Sequence, residues 1–428
     1  MGIKVIGAGL AGSEAAYQLA KRGYKVDLYE CRPTKKMPAH HTDYFAELVC
    51  SNSLKSNSLE NAAGLLKEEM RVLDSIIIKT ADDCAVPAGQ ALAVDRDVFG
   101  SAITEKITTH KNITIHYEEV LDINPEDVVI IASGPLTSEG LSKKIQELVG
   151  GDYLYFYDAA APLVLLEGID FSKAYYKSRY DKGDGKDYIN CPFEKDEFMA
   201  FYQELVRGQR VELKEFEKEL HFEACMPIES IAAKGYKTLT FGPLKPRGLE
   251  KEDGTRPYAV VQLRQDNQEG TMYNMVGFQT NLLFKEQERI FRMIPGLENA
   301  KFVRHGVMHR NTFINSPDVL NRTLNLRKYP KVFFAGQIVG VEGYVESAAT
   351  GIIAAINVIN LLENKQLICP PRATVLGALL EYIETSPAKH FQPMNANYGV
   401  LASPLKDKQE IAKVSIETLK EWMDKHGV

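Results

Sequence analysis

Short apolar runs separated by glycine-rich turns open the chain. Residues 3–6 are mostly apolar, a glycine-rich turn occupies 7–12, and an alanine-rich stretch follows as far as Gly23. A second short stretch, KVDLY at 25–29, comes directly afterwards and also predicts a strand. Runs of four or five apolar residues indicate buried strands, and a longer small-residue stretch closed by glycine indicates a helix. The pattern predicts a strand–turn–helix–strand unit, as at the start of a parallel α/β sheet.

The turn of this unit has the spacing GxGxxG. We expect Gly7 to permit the tight turn, Gly9 to let the backbone approach a pyrophosphate, and Gly12 to let helix and strand pack closely. Free N–H groups at the start of the helix favour phosphate. The predicted dinucleotide-binding residues are Gly7, Ala8, Gly9, Leu10, Ala11 and Gly12, with Glu30 as the acceptor for ribose hydroxyls. A glycine-rich turn without a ligand is the alternative, and Glu30 alone does not separate FAD from NAD.

A second glycine-containing unit, near the other end of the chain, favours FAD. Residues 331–337 predict a strand that runs into a turn, and a helix of small residues opens at 345–351. This return resembles the way glutathione-reductase-type flavoproteins close their FAD domain, with that helix directed at the flavin. Gly336, Gln337 and Tyr344 are therefore predicted to line the cofactor site. A packed core tyrosine is the alternative for Tyr344.

Such a domain is split along the chain. An apolar run at 127–134 predicts another strand of the same sheet, and the composition changes near residue 150. The predicted fold class is α/β, with a discontinuous FAD-binding Rossmann domain of the glutathione-reductase type formed by 1–150 and 300–428. An inserted α+β domain over 151–299 is predicted to face the substrate or RNA.

Composition limits the partners and the location. The chain has 428 residues, of which 45% are hydrophobic and 25% charged, as in folded proteins of two or three domains. The net charge of −6 excludes a surface that is basic throughout, so any RNA contact must be a local patch. Lysines and tyrosines interleaved over 173–180 are one candidate, and an ordinary exposed strand or loop is the alternative.

No apolar run approaches the ~20 residues that span a bilayer, so we expect no membrane contact. The strand pattern at Ile3 leaves no room for a signal peptide, and we expect a cytoplasmic protein. The cysteines are Cys31, Cys50, Cys84, Cys191, Cys225 and Cys369, none of them paired as CxxC. We expect thiols in a reducing compartment, and the absence of metal-ligand spacing predicts no metal.

Motifs spread from end to end of the chain match one enzyme family. They are HTDYFAELVCSNS (41–53), GLLKEEM (64–70), VPAG (86–89), ALAVDR (91–96), FEACMPIE (222–229), FGPLKP (241–246), QLRQDN (262–267), HRNTF (309–313) and FQPMNAN (391–397). By these motifs the chain resembles the folate- and FAD-dependent tRNA (uracil-5-)-methyltransferases. Ser133, Ala224 and Arg247 depart from the residues usual in that family, and Arg247 is where RNA preference could differ.

The resemblance implies methylation of uridine C5 in tRNA, at a T-loop uridine of the position-54 type. The implied cofactors are FAD, NADPH or NADH as the reductant, and 5,10-methylenetetrahydrofolate as the one-carbon donor. Reduced flavin would carry the methylene and supply the final hydride. Because uracil C5 is a poor nucleophile, a thiolate must first add at C6. The target base must also leave its stack.

Two cysteines lie in matching motifs and are the implied catalytic residues. One of Cys50 and Cys225 would add to uracil C6, and the other would act near the flavin methylene or as a base. We favour Cys225 as the nucleophile and leave the reverse assignment open. Predicted substrate contacts for the folate glutamate tail, the pterin or RNA phosphates are Lys245, Arg264, His309 and Arg310, with surface ion pairs or a structural histidine as the alternative.

Other functions fit the sequence less well. The same chemistry on a uridine of 23S ribosomal RNA would share nearly all these motifs and stays open as an alternative. A thiol–disulfide reductase needs a CxxC beside the flavin, which this sequence lacks. Longer tRNA-modifying flavoproteins carry a large helical C-terminal part, for which 428 residues leave no room. A flavin-bearing RNA-binding protein without catalysis is disfavoured by the two cysteines in matching motifs.

Overall fold

The computed structural model describes residues 2–36, 39–150, 154–211, 226–401 and 403–428, with the side chains of 154–159, 308–310 and 390 left aside. The strands are β1 (Ile3–Ile6), β2 (Val26–Tyr29), β3 (Ser53–Ser56), β4 (Ala85–Val86), β5 (Ala91–Val94), β6 (Ile113–His116), β7 (Val129–Ile131), β8 (Leu154–Ala159), β9 (Leu163–Leu165), β10 (Tyr175–Tyr176), β11 (Tyr188–Phe193), β12 (Ala259–Gln265), β13 (Met272–Met275), β14 (Phe302–Arg304), β15 (Met308–Phe313) and β16 (Val332–Phe334).

The helices are α1 (Leu10–Lys21), α2 (Ala62–Val72), α3 (Ile76–Asp83), α4 (Arg96–Thr108), α5 (Glu139–Val149), α6 (Lys195–Arg207), α7 (Ile228–Ala233), α8 (Tyr236–Phe241), α9 (Phe284–Phe291), α10 (Ser316–Val319), α11 (Tyr344–Leu362), α12 (Val375–Thr385), α13 (Tyr398–Leu401) and α14 (Lys408–His426). Short 3-10 turns lie at Leu166–Gly168, Arg179–Asp181, Gln337–Val339 and Ala388–His390.

A five-stranded parallel sheet in the order β16-β7-β1-β2-β6 forms the first layer. Its central strands are apolar and buried on both faces, as expected for a parallel sheet covered by helices. Strand β16 comes from the C-terminal part of the chain and pairs with β7, so residues 332–334 complete a sheet that begins at residue 3. The mixed α/β class with a parallel Rossmann-type sheet, predicted from the sequence, is confirmed.

Helices α1 and α11 pack against each other in backbone contact, because glycine removes the side chain at the contact. A Cβ on Gly351 would overlap the carbonyl oxygen of Ala11, and a Cβ on Gly12 would overlap that of Gly7. Two glycines therefore bring the first helix of the chain, the glycine-rich turn and the long C-terminal helix into backbone contact.

The expectation that no apolar run reaches membrane-spanning length is wrong for α11. This helix has 19 residues and a mean hydropathy of 1.6, enough by length and composition to cross a membrane. However, 83% of its apolar window is buried inside the fold, where it packs on α1 and the sheet. It is therefore the core helix of the first layer.

A second, antiparallel sheet has the order β10-β11-β12-β13-β9-β14. Helices α6 and α9 cover it through a cluster of phenylalanines (Phe193, Phe198, Phe201, Phe278 and Phe291). Strands β8 and β15 pair with each other as a separate antiparallel ribbon. The domain limits 1–150, 151–299 and 300–428 stay a prediction, and β14, which begins just after residue 300, pairs with β9 of the second sheet.

Strands β3, β5 and β4 form a small sheet. Strand β3 begins at Ser53, directly after the segment that carries Cys50. The buried ammonium of Lys67 holds this segment, since it donates to the carbonyls of Leu54 (2.8 Å), Ser56 (2.7 Å) and Ala63 (3.0 Å). Burial lowers the pKa of Lys67 to about 7. The hydrogen bonds fix the chain that follows Cys50 onto α2.

Gly351→Ala tests the contact between α1 and α11. The added methyl group meets a backbone oxygen that has no room to move, so we expect a loss of about 1–3 kcal/mol in the free energy of unfolding. Denaturant titration measures the loss. Gly140→Ala in α5 is the matched control, because its Cβ would meet the movable side chains of Leu121 and Glu119 and not backbone. Equal stability of the two variants would contradict the packing argument.

Candidate active site

A long cleft runs along the carboxyl ends of β1 and β7, over the N-terminus of α1. It has an empty volume of about 1050 Å³, including its solvent-open part, and is lined by the glycine turn, by Glu30, by residues 132–138 and by Gly336, Gln337 and Tyr344. Ligand sites in open parallel sheets lie at this edge, where the strand order reverses. All the predicted cofactor-binding residues line the cleft except Ala8 and Gly12, which belong to the turn but not to the lining, and their roles stay predictions.

Each glycine of the turn has a separate physical role. Gly7 has φ +100°, which favours glycine, and its Cβ would lie 2.5 Å from the carbonyl oxygen of Ala132. Gly12 permits the backbone contact with Gly7 described above. A Cβ on Gly9 would meet nothing within 4 Å, so open space lies above this residue at the start of α1. The turn therefore leaves room for a phosphate group beside the free N–H groups of the helix.

Glu30 anchors a chain of buried charges behind this turn. Its Oε2 accepts from the backbone N–H of Ala8 (2.9 Å), and its two oxygens accept from Nε (2.9 Å) and Nη2 (3.0 Å) of Arg32. These partners outweigh burial and hold the pKa of Glu30 down at about 2. Arg32 also bonds the carboxylate of Glu47 at 3.2 Å. The chain of charges connects the glycine turn with the segment that leads to Cys50.

Residues 47–50 form a wall between two cavities. Val49 lines the dinucleotide cleft, Leu48 lines a second cleft, and Glu47 lines both. From the dinucleotide side, the hydroxyl oxygen of Tyr344 accepts from the backbone N–H groups of Cys50 (2.8 Å) and Ser51 (3.1 Å). Burial raises the pKa of Tyr344, which keeps this hydroxyl protonated.

Arginines hold the same wall from the opposite side. Arg96 donates to the carbonyl oxygen of Leu48 (3.0 Å), and Arg304 donates to that of Cys50 (3.4 Å). Arg264, on β12, donates to the side chains of Ser51 (2.7 Å) and Asn52 (3.0 Å). The positive charges of Arg264 and Arg304 both face Cys50. The second sheet therefore delivers two arginines, Arg264 and Arg304, to the segment of the first layer that carries Cys50.

The other described cysteines occupy less reactive surroundings. Burial raises the pKa of Cys31 to about 11 and that of Cys369 to about 12, and it also raises the pKa of Cys84 and Cys191. All five described cysteines are free thiols. Among the described thiols, those other than Cys50 are thus held in the neutral, unreactive form.

The residues predicted to bind substrate or to act in catalysis are not all brought to one place by the structure. Arg264 is buried and donates two hydrogen bonds to the segment that carries Cys50. Its predicted contact with substrate stays a prediction. Lys245 lies half-buried after α8 on the inserted domain. Cys225 lies outside the described residues. His309 and Arg310 lie on β15, opposite Asp158 and Tyr157, and their side chains lie outside the described part.

Sequence reasoning missed Arg32, Glu47, Arg304 and the ion pair between Arg96 and Asp266 (2.9 Å). Arg96 and Asp266 each lie in a motif that was matched, so those motifs carried a signal. Arg304 lies in no such motif, and only the pairing of β14 with β9 brings it to the wall. Among the described residues, no group of three His, Cys, Asp or Glu side chains could hold a metal ion, and the absence of a metal stays an expectation.

The fold and the cleft together define an FAD-binding α/β protein of the Rossmann type. The model of the family "Glucose inhibited division protein A" matches residues 2–366. Curated relatives named methylenetetrahydrofolate--tRNA-(uracil-5-)-methyltransferase TrmFO match nearly the whole chain. One from Exiguobacterium sp. is 58% identical over 99% of this chain and 99% of its own, and one from Listeria monocytogenes serotype 4b is 60% identical over 95% and 94%.

The chain belongs to this TrmFO family of methyltransferases, within the wider division protein A group. Among solved structures, Aquifex aeolicus GidA in its form II crystal has a TM-score of 0.73 at 18% identity, covering 100% of this chain and 73% of its own. That likeness shows the shared fold. The relatives are named for tRNA, and the alternative of ribosomal RNA as the substrate finds no support in them.

Tyr344→Phe tests how the wall is held. The substitution leaves the amides of Cys50 and Ser51 without their acceptor, so we expect a loss of about 1–3 kcal/mol in stability and faster alkylation of Cys50 by iodoacetamide. Peptide mass spectrometry measures the alkylation. Tyr382→Phe is the control, because its hydroxyl donates to the Gln392 carbonyl at an exposed site (2.8 Å). An unchanged alkylation rate in Tyr344→Phe would contradict the role of the hydroxyl.

Proposed function

We propose that this protein transfers the methylene carbon of 5,10-methylenetetrahydrofolate to C5 of a tRNA uridine, of the T-loop position-54 type, and reduces it to a methyl group. The observation that carries the proposal is the position of Cys50 on the wall beside the dinucleotide cleft, with arginines facing it. The names and the high identity of the relatives support the same reaction.

The residues of the cleft fit FAD. The glycine turn, from Gly7 to Gly12, would hold the pyrophosphate, and Glu30 would accept from the ribose while remaining anionic. Gly336, Gln337 and Tyr344 would border the isoalloxazine end of the cleft. When bound and reduced by NADPH or NADH, the flavin supplies the carrier for the folate methylene and the final hydride.

The two cysteines carry the chemistry of the pyrimidine. A thiolate of Cys225 adds to uracil C6, which moves an electron pair toward C5 and O4 and makes C5 a nucleophile. C5 then forms the bond to the one-carbon unit and later loses its proton to a base, for which we propose Cys50. Loss of that proton would release the one-carbon unit from its carrier as an exocyclic methylene. The hydride would then convert this methylene into a methyl group, and expulsion of the Cys225 thiolate would restore the ring double bond. The opposite assignment of the two thiols is the second possibility.

Substrate contacts complete the proposal. We assign Lys245, His309 and Arg310 to contacts with RNA phosphates or with the folate. Arg264 is assigned to the same substrate site, where it also holds the segment that carries Cys50. One uridine leaves its stack to meet both sulfur and flavin. RNA binding is then salt-sensitive and confined to a patch, as the net charge of −6 requires. A cytoplasmic location fits these partners.

Cysteine substitutions test the reaction. In Cys225→Ala and in Cys50→Ala, we expect methyl transfer from labelled folate to unmodified tRNA to fall at least ~10³-fold, because each thiol makes or breaks a bond. The flavin spectrum and reduction of the flavin by NADPH should persist. Cys369→Ala is the control, since its thiol donates to the Arg322 carbonyl in the C-terminal part and lies in neither matching motif. Full methylation by either active-site variant would overturn the assignment.

A further inference from the structure

A second cleft lies on the face of the 47–50 wall that is turned away from the dinucleotide cleft. It has an empty volume of about 990 Å³, including its solvent-open part. Residues from both sheets line it: His41, Tyr44 and Leu48 come from the first layer, and Met272 and Arg304 come from the inserted domain. The cofactor cleft shares only Glu47 with it among the lining residues. It is therefore a separate cavity that meets the first one at Glu47, in the segment that leads to Cys50.

The carboxylates around this cleft are already committed to other partners. Asp266 pairs with Arg96 at 2.9 Å, and Glu47 pairs with Arg32 at 3.2 Å. Asp95 caps the start of α4 and also accepts from the backbone N–H of Gln268 (2.8 Å). Asp97 lies at the exposed rim. The internal negative charges of the cleft are thus neutralised by residues other than Arg304.

Arg304 is a cation of this cleft that has no carboxylate partner among the described residues. Its one hydrogen bond among the described residues is the 3.4 Å contact with the Cys50 carbonyl, and its Nε is buried without a partner. No carboxylate in the described part of the chain lies within ion-pair distance of it. Burial and the neighbouring Arg96 lower the pKa of Arg304 to about 10, although Asp266 attracts it from further away. His41, beside it, is kept neutral by burial and by Arg304, which lower its pKa.

A half-buried guanidinium whose buried Nε has no partner is costly, and an anion in the cleft would reduce that cost. Tyr44 lines the same cavity and is 37% exposed, so part of its surface is open to a ligand in the cleft. A guanidinium for an anion and an aromatic ring for a base are the two groups that recognise a single-stranded nucleotide.

We propose that this cleft binds the RNA nucleotide next to the target uridine, with Arg304 paired to its phosphate and Tyr44 against its base. The inference rests on the proposed function. The nicotinamide dinucleotide and the folate are also anionic, but both must exchange hydride or carbon with the flavin, on the opposite side of the wall. Within the RNA, the target uridine must meet the flavin, whereas the nucleotide beside it must lie past Cys50 without touching the flavin. That neighbouring nucleotide is therefore the occupant that the position of the cleft favours.

Salt-dependent binding of the flavin-loaded protein to unmodified tRNA tests the site without requiring turnover. One lost phosphate contact should lower the slope of log Kd against log salt by about 0.7–0.9 in Arg304→Gln, and weaken binding roughly tenfold near physiological salt. Arg304→Lys should keep most of the slope. Tyr44→Leu should weaken binding about fivefold or more and leave the slope unchanged. Arg372→Gln, which breaks an exposed ion pair with Glu381 far from the cleft, is the matched control.

Two further measurements on Arg304→Gln identify the occupant. We expect the rate of flavin reduction by NADPH and the KM for folate to equal those of the wild type. Slower flavin reduction or a raised folate KM with an unchanged salt slope would overturn the RNA assignment in favour of that ligand. An unchanged slope with no other effect would overturn the site itself. Because tRNA binding is measured apart from methylation, wild-type protein that binds tRNA but transfers no methyl group would reject the proposed function alone.

Discussion

The backbone contact between α1 and α11 is the constraint on which the site depends. It exists because Gly351 lets the second helix approach Ala11, while Gly12 lets the first helix approach the turn. One end of the chain supplies the phosphate-facing turn and the other supplies Gly336, Gln337 and Tyr344. Without this close packing the two ends of the cofactor cleft would not share one cavity. Tyr344, the first residue of α11, then fixes the wall that carries Cys50.

Buried charges connect that wall to everything around it. Glu30 and Arg32 tie it to the glycine turn, and Arg96, Arg264 and Arg304 tie it to the inserted domain. Breaking one partner of a buried pair leaves an uncompensated charge, so such networks define a single arrangement of the segments they join. The 47–50 segment is thereby placed between the dinucleotide cleft and a second cavity that contains Arg304. A base that must meet both sulfur and flavin needs this kind of junction.

Much of the first layer was predictable because its signals are local. The glycine spacing, the apolar runs at 3–6 and 25–29 and the small-residue helix after Gly336 each reflect the conformation of a few neighbouring residues. The sequence also singled out Cys50 through its motif. Its environment was not predictable, since Arg264 and Arg304 reach it from more than two hundred residues away. Only the expected length of apolar runs was wrong, at α11, because apolar content alone does not distinguish a core helix from a spanning one.

The amino-acid sequence by itself determined the class of fold, the dinucleotide turn and the family, because glycine spacing, strand periodicity and motifs are properties of contiguous residues. Tertiary structure alone decided which charges surround Cys50, that Arg264 is buried against Ser51 and Asn52, and that Arg304 is left without a carboxylate. The reason is physical: the charge balance at a site depends on distances across the fold, and pairing of β14 with β9 sets those distances.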